Sequence, residues 1–205
     1  MSVVHLIDTI TKWAQVNICD CTRLKQPPAD LEAAIDEGYE YTLVNPVAFP
    51  MYVPTSEKLP PSIHSPFPSL CVRFVTGKDT LADGEGSVKV QLCFSTWDPG
   101  THGKDILLPN GDGSFKRWSD EEKSHFQRNG DGWRDVWNFV DIALRAVESV
   151  SFIGEYTIDR AQPIEFGPMM EQESIPDFYP MWFAWVSFTI NYPLRRNMQD
   201  LKNFL

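Results

Sequence analysis

Two stretches of the chain carry apolar residues at helical spacing. Over residues 2–18, Val3, Leu6, Ile7, Ile10, Trp13 and Ala14 share one side, while Asp8, Lys12 and Gln15 lie mostly elsewhere. This predicts an amphipathic helix with Ser2 at its N-cap. Over residues 133–149, Trp133, Val136, Trp137, Val140, Ala143, Leu144 and Val147 make a stripe opposite Arg134, Asn138, Asp141, Arg145 and Glu148. Asp131 precedes this second helix as a candidate N-cap, and Asp141 and Arg145 are an i,i+4 pair of favourable order.

Three stretches alternate with period two. Leu70, Val72 and Phe74 alternate with Cys71, Arg73 and Val75. Val88, Val90, Leu92 and Phe94 alternate with Lys89, Gln91, Cys93 and Ser95. The glycine-bearing segment between them, 77–86, is too short for a crossover helix, so the pair predicts an antiparallel hairpin. The third and strongest strand covers 181–192. Trp182, Ala184, Val186, Phe188, Ile190 and Tyr192 line one face; Phe183, Trp185, Ser187, Thr189 and Asn191 line the other. Pro193 stops it. Shorter strands are predicted at 152–158 and 164–166, with a Pro-bearing acidic loop over 167–180 and a polar tail after 194 that suits a short terminal helix.

Nine of the 16 prolines fall between Pro27 and Pro68. Proline fixes φ and lacks an N–H, so this stretch predicts an extended arm with edge-type strands at 39–44 and 48–53 and a loop at 54–68. A short helix at 30–37, closed by Gly38, fits inside it. Residues 98–131 are polar and glycine-rich and predict a long surface loop, with one or two helical turns at 119–125. The reading is a single domain over 1–205 of α+β class. It is a mostly antiparallel sheet with two main helices packed on one face, plus the Pro-rich arm 27–68 and the long loop 98–131.

Composition adds function classes to exclude. The net charge is -10, and no basic run offsets it, which disfavours nucleic-acid and anionic-membrane binding. No apolar run approaches a membrane span, and the N-terminal stretch lacks the apolar core of a secretory signal. A soluble protein made in the cytoplasm is expected. Cys19, Cys21, Cys71 and Cys93 then read as free thiols.

Candidate chemistry is sparse. Cys19 and Cys21 lack the partners of a zinc site. Asp98, His102, Asp105 and Asp112 cluster in the long loop and could hold a cation, but their spacing fits no calcium loop, and a solvated loop is the simpler reading. The Asn110-Gly111-Asp112-Gly113 run reads as a tight turn. His5, His64, His102 and His125 are scattered, nucleophile motifs and phosphate cradles are absent, and Glu171 and Glu173 sit in a solvated loop. No catalytic, cofactor or metal residue is assigned, and a non-enzymatic protein is expected. Its 7 Trp, 13 Phe and 6 Tyr are read as core and interface material.

Three stretches carry a resemblance: VKVQLCFSTWDPG at 88–100, DGWRDVWNFV at 131–140, and the aromatic strand from Trp182 to Tyr192 with its short tail. In their order and texture the chain resembles tail terminator (tail completion) proteins of long-tailed bacteriophages. The resemblance implies a small α+β fold that assembles as a hexameric ring in the virion, put together in the host cytoplasm. That ring would cap the tail tube, end its elongation and meet the head–tail connector, with DNA passing through unspecifically. The major tail tube protein and a connector or neck protein would be its partners. Phe49, Tyr52, Trp97, Phe183 and Trp185 are the candidate subunit contacts. The long arm and loop depart from smaller relatives. Two other readings remain: another neck or head-completion protein of the same particle, and a metal-dependent hydrolase built on Asp98, His102 and Asp105.

Overall fold

A computed structural model describes residues 2–29, 42–80, 82, 84–99, 107–109, 111–112, 114–117, 132–171 and 174–194. The expected helical turns at 30–37, 119–125 and after 194 lie outside these residues, as do Asp131, His102, Asp105, His125 and Glu173.

Both predicted helices form. Helix α1 spans Val3–Asn17 and buries Leu6, Ile7, Ile10 and Ala14. Helix α2 spans Trp133–Ser149 and buries Val136, Phe139, Val140, Ala143 and Val147. The polar face expected on α2 is exposed as read. Gly132 is its N-cap, and its C-terminal carbonyls are met by the Arg160 guanidinium, which donates to Val147 O at 3.2 Å and Glu148 O at 3.0 Å. A cation at that end also opposes the helix dipole favourably.

The strands are β1 (Leu24–Gln26), β2 (Thr42–Val44), β3 (Val47–Pro50), β4 (Ser69–Thr80), β5 (Glu85–Trp97), β6 (Leu107–Pro109), β7 (Phe115–Arg117), β8 (Phe152–Ile153), β9 (Tyr156–Ile158), β10 (Glu165–Pro168) and β11 (Met181–Pro193). The main sheet runs β3-β4-β5-β11-β9-β8, with β10 also on β11. Every pairing in it is antiparallel except β3 with β4. The core hairpin β4–β5 reaches further than its apolar alternation. Its ladder runs on to Thr80 and Glu85, through polar residues that the backbone bonds hold without side-chain burial. β6 and β7 pair within the long loop around a turn at Gly111 and Asp112. Asp112 Oδ1 accepts from Ser114 N at 2.9 Å and Ser114 Oγ at 2.6 Å, the side-chain bonding expected of a tight turn.

One face of the sheet and both helices share a single core. Leu70, Val72, Val88, Val90, Leu92, Phe94, Ala184, Val186, Phe188 and Ile190 all point into it. Phe94 and Phe139 meet edge-to-face at 4.9 Å in its middle. The α+β architecture with both helices on one face is therefore as expected.

Residues 42–50 of the Pro-rich stretch are built into the body as strands instead of reaching out as an arm. β1 and β2 pair antiparallel as a two-stranded ribbon. β3 lies on the edge of the main sheet, where Gln15 of α1 covers it: the amide donates to Pro46 O at 3.2 Å and accepts from Ala48 N at 2.8 Å. Asn45 meanwhile donates to the carbonyls of Cys19, Asp20 and Thr22 just beyond α1. Gln15 thus satisfies backbone groups at the start of β3, and Asn45 in return satisfies carbonyls of the turn after α1.

Candidate functional site

A cluster of charged side chains sits where β5 ends. Asp98 follows β5, Lys25 is the middle residue of β1, and Asp135 is in the first turn of α2. Lys25 Nζ lies 2.8 Å from Asp98 Oδ2 and 3.9 Å from Asp135 Oδ2. The Asp98 side chain is only 8% exposed, against 23% for Lys25 and 27% for Asp135. Burial pushes the Asp135 carboxyl above its ordinary range, Lys25 pulls it back, and the charge and hydrogen bond of Asp98 push it up again. The arrangement is two carboxyl groups sharing one ammonium in a partly buried niche, where removing the ammonium leaves the two carboxyls facing each other without a cation between them.

Around this triad two long connections are tied together. Trp182 Nε1 donates to Asp98 O at 3.1 Å, Asp98 N donates to Pro180 O at 2.9 Å, and Tyr179 Oη donates to Pro99 O at 2.5 Å. Gly132 packs against the same point. A methyl group added there would stand 2.3 Å from Trp182 Nε1 and 2.8 Å from Asp98 O, closer than atoms pack. The niche therefore roots both the connection that leaves β5 and the one that enters β11.

Lys25 and Asp98 bear on the hydrolase reading. Lys25 supplies the cation at Asp98 that a metal would otherwise supply, and His102 and Asp105 lie outside the described residues. No cluster of three or more His, Cys, Asp or Glu suited to a metal occurs among the described residues. No described helix is long and apolar enough to cross a membrane.

The candidate subunit contacts divide. Phe49 is 6% exposed and Trp97 1%, so both are core residues that leave almost no surface for a neighbour. Phe49 packs beside β4, and Trp97 closes the end of the β5–β11 ladder. Tyr52 is 69% exposed, and Phe183 and Trp185 are half-buried on the sheet face away from the helices. Phe183 is flanked edge-to-face by Phe67 at 6.2 Å and Phe178 at 5.5 Å. Trp185 donates from Nε1 to Pro168 O at 3.0 Å. The connection between β10 and β11 adds Met169, Met170, Ile175 and Phe178 as exposed apolar side chains. These four fall in a Pro-bearing acidic stretch with no periodicity, so nothing in the sequence pattern marks them.

Toward the other end of this face lies a polar groove of about 290 Å³, lined by Lys89, Glu165, Asp159, Thr189 and Asn191 among others. Lys89 and Glu165 form an ion pair across it, so it offers little net charge to a ligand.

No protein-family model, curated protein or solved structure matches this chain.

The triad predicts a pH dependence. A carboxyl raised in the folded state binds its proton more tightly there than in the unfolded chain. The Asp135 contribution therefore favours folding at low pH and is lost as pH climbs from the ordinary value of 3.8 through the raised one. Asp135→Asn removes this term. Denaturant unfolding at stepped pH should show the wild type losing stability relative to the variant across that window; parallel curves would refute the assignment.

Proposed function

We propose that this chain is a structural subunit of a long-tailed bacteriophage, a tail terminator without enzymatic activity. Copies close into a six-fold ring that caps the tail tube, stops its elongation and provides the joint to the head connector. The small α+β sheet with its helices on one face accords with what the resemblance implies. The observation that carries the reading is the exposed apolar surface of the β10–β11 connection, beside the sheet face away from the helices. Ile175 is 68% exposed and Met170 56%, on a connection whose Phe178 leans on Phe183. Such side chains gain by covering one another, and heterologous contacts of this kind close into rings when the rotation per subunit closes. The acidic balance suits a channel through which DNA slides without exchanging counterions.

Sedimentation velocity and negative-stain imaging, with and without tail tubes, test this. The expected result is concentration-dependent assembly to a closed ring. Ile175→Asp with Phe178→Asp should raise the concentration needed by about tenfold or more, equivalent to about 1.4 kcal/mol per contact. A wild-type chain that stays monomeric throughout, tail tubes included, would overturn the reading.

A further inference from the structure

Cys71 of β4 and Cys93 of β5 are register partners in the antiparallel ladder. Directly opposite residues project from the same face, here the one the helices leave uncovered. Cys71 is buried, with Phe49 as its register partner on β3; Cys93 is half-exposed, with Trp185 as its partner on β11. Both are free thiols, and the Cys93 thiol donates to Gln91 Oε1 at 3.6 Å, a weak contact that a side-chain rotation gives up. Opposed Cβ atoms lie about 4.5–5.5 Å apart in such ladders, and a disulfide asks for about 3.5–4.5 Å. A local closure of the two strands by roughly an ångström spans that gap.

We propose that Cys71 and Cys93 form an oxidation site: a latent cross-strand disulfide that closes when the chain meets a peroxide. The half-exposed Cys93 reacts first. Its sulfur attacks one peroxide oxygen, the O–O bond breaks, and the released hydroxide leaves as water with the thiol proton. Cys93 is then a sulfenic acid. The Cys71 sulfur attacks it, the S–S bond forms, the S–O bond breaks, and a second water leaves with the Cys71 proton. Two thiols lose two electrons and the peroxide becomes two waters.

The surroundings set the rate. Burial pushes Cys71 up to about 11 and raises Cys93 as well, while the Arg73 guanidinium pulls both down. Only the thiolate attacks, so the pair is sluggish at neutral pH and quickens as pH rises. Strain from the closure makes the bond easily reduced, which suits reversible closure rather than a permanent staple. Cys19 is buried elsewhere in the core, and the exposed Cys21 is a competitor for oxidant and for bonds between molecules.

The test uses the full chain carrying Cys21→Ser, treated with hydrogen peroxide, then alkylated and digested. The expected product is a linked peptide pair containing residues 71 and 93, lighter by two hydrogens and resistant to alkylation. Its rate should rise about tenfold per pH unit below the thiol range. Trp185 emission should fall as the adjacent disulfide quenches it and recover with dithiothreitol. Cys71→Ser, or Cys71→Ala should serine disturb folding, should show neither change. Alkylation of both thiols after treatment of the folded chain, or sulfinic acid on Cys93 without a link, overturns the proposal. The proposal rests on the sheet alone. The peptide map reads it independently of sedimentation, so ring and disulfide stand or fall separately.

Discussion

Replacing Lys25 with methionine is expected to destabilise the fold by about 3 kcal/mol, because it leaves Asp98 and Asp135 side by side in a largely buried niche without the ammonium they share. The figure sits at the lower end of the buried-pair range because the lysine side chain is 23% exposed and solvent screens part of the loss. For a chain of 205 residues this corresponds to a Tm roughly 6–12 °C lower. The loss should be greatest at neutral pH and shrink in acid, where the raised Asp135 carboxyl takes up its proton and no longer needs the cation. Lys25→Arg should recover most of it. A cycle with Asp98→Asn isolates the pair: the double variant should lose markedly less than the sum of the singles. Additive losses would show that Lys25 acts through its packing alone.

Gly132→Ala is expected to cost about 1–3 kcal/mol, the range for forcing a methyl group into filled space. The new Cβ meets an indole ring and a backbone oxygen. Neither is the free end of a flexible chain, so α2 must move away from β11. A second consequence separates this clash from the ordinary effect of replacing a glycine at a helix end. In an exposed helix, Gly→Ala stabilises by lowering the entropy of the unfolded chain. At Gly132 the sign should reverse, and Trp182 emission should shift as its bond to Asp98 O is disturbed. An unchanged Trp182 environment, with stability equal or higher, would contradict the packing described.

Much of the fold was legible because apolar patterning was clean. The two faces of β11, the alternation of β4 and β5, and the stripe of α2 each state one period without interruption. Where patterning stops, legibility stops. The polar ends of the β4–β5 ladder carry no alternation, yet backbone bonding extends them. β1 and β2 are three residues each, too short to show a period, and their pairing joins segments on either side of residues 27–41. The triad was invisible for a different reason. Lys25, Asp98 and Asp135 come from three elements far apart in sequence, so no spacing announces them; Asp98 was singled out, but for neighbours in its own loop. Among the aromatics, type alone does not divide core from surface. Phe49 and Trp97 are as apolar as Tyr52 and Phe183, and only the pairing of their strands decides which are covered.

The knot of bonds at Asp98, Pro99, Tyr179, Pro180 and Trp182 has a mechanical meaning. Traction on the chain beyond Pro99 does not peel β5 away one residue at a time. It is shared at once by Trp182 of the neighbouring strand, by Tyr179 in the connection that leads into it and, through the Lys25 ammonium, by α2 and the β1–β2 ribbon. A segment rooted this way can bear load while the sheet behind it keeps its shape.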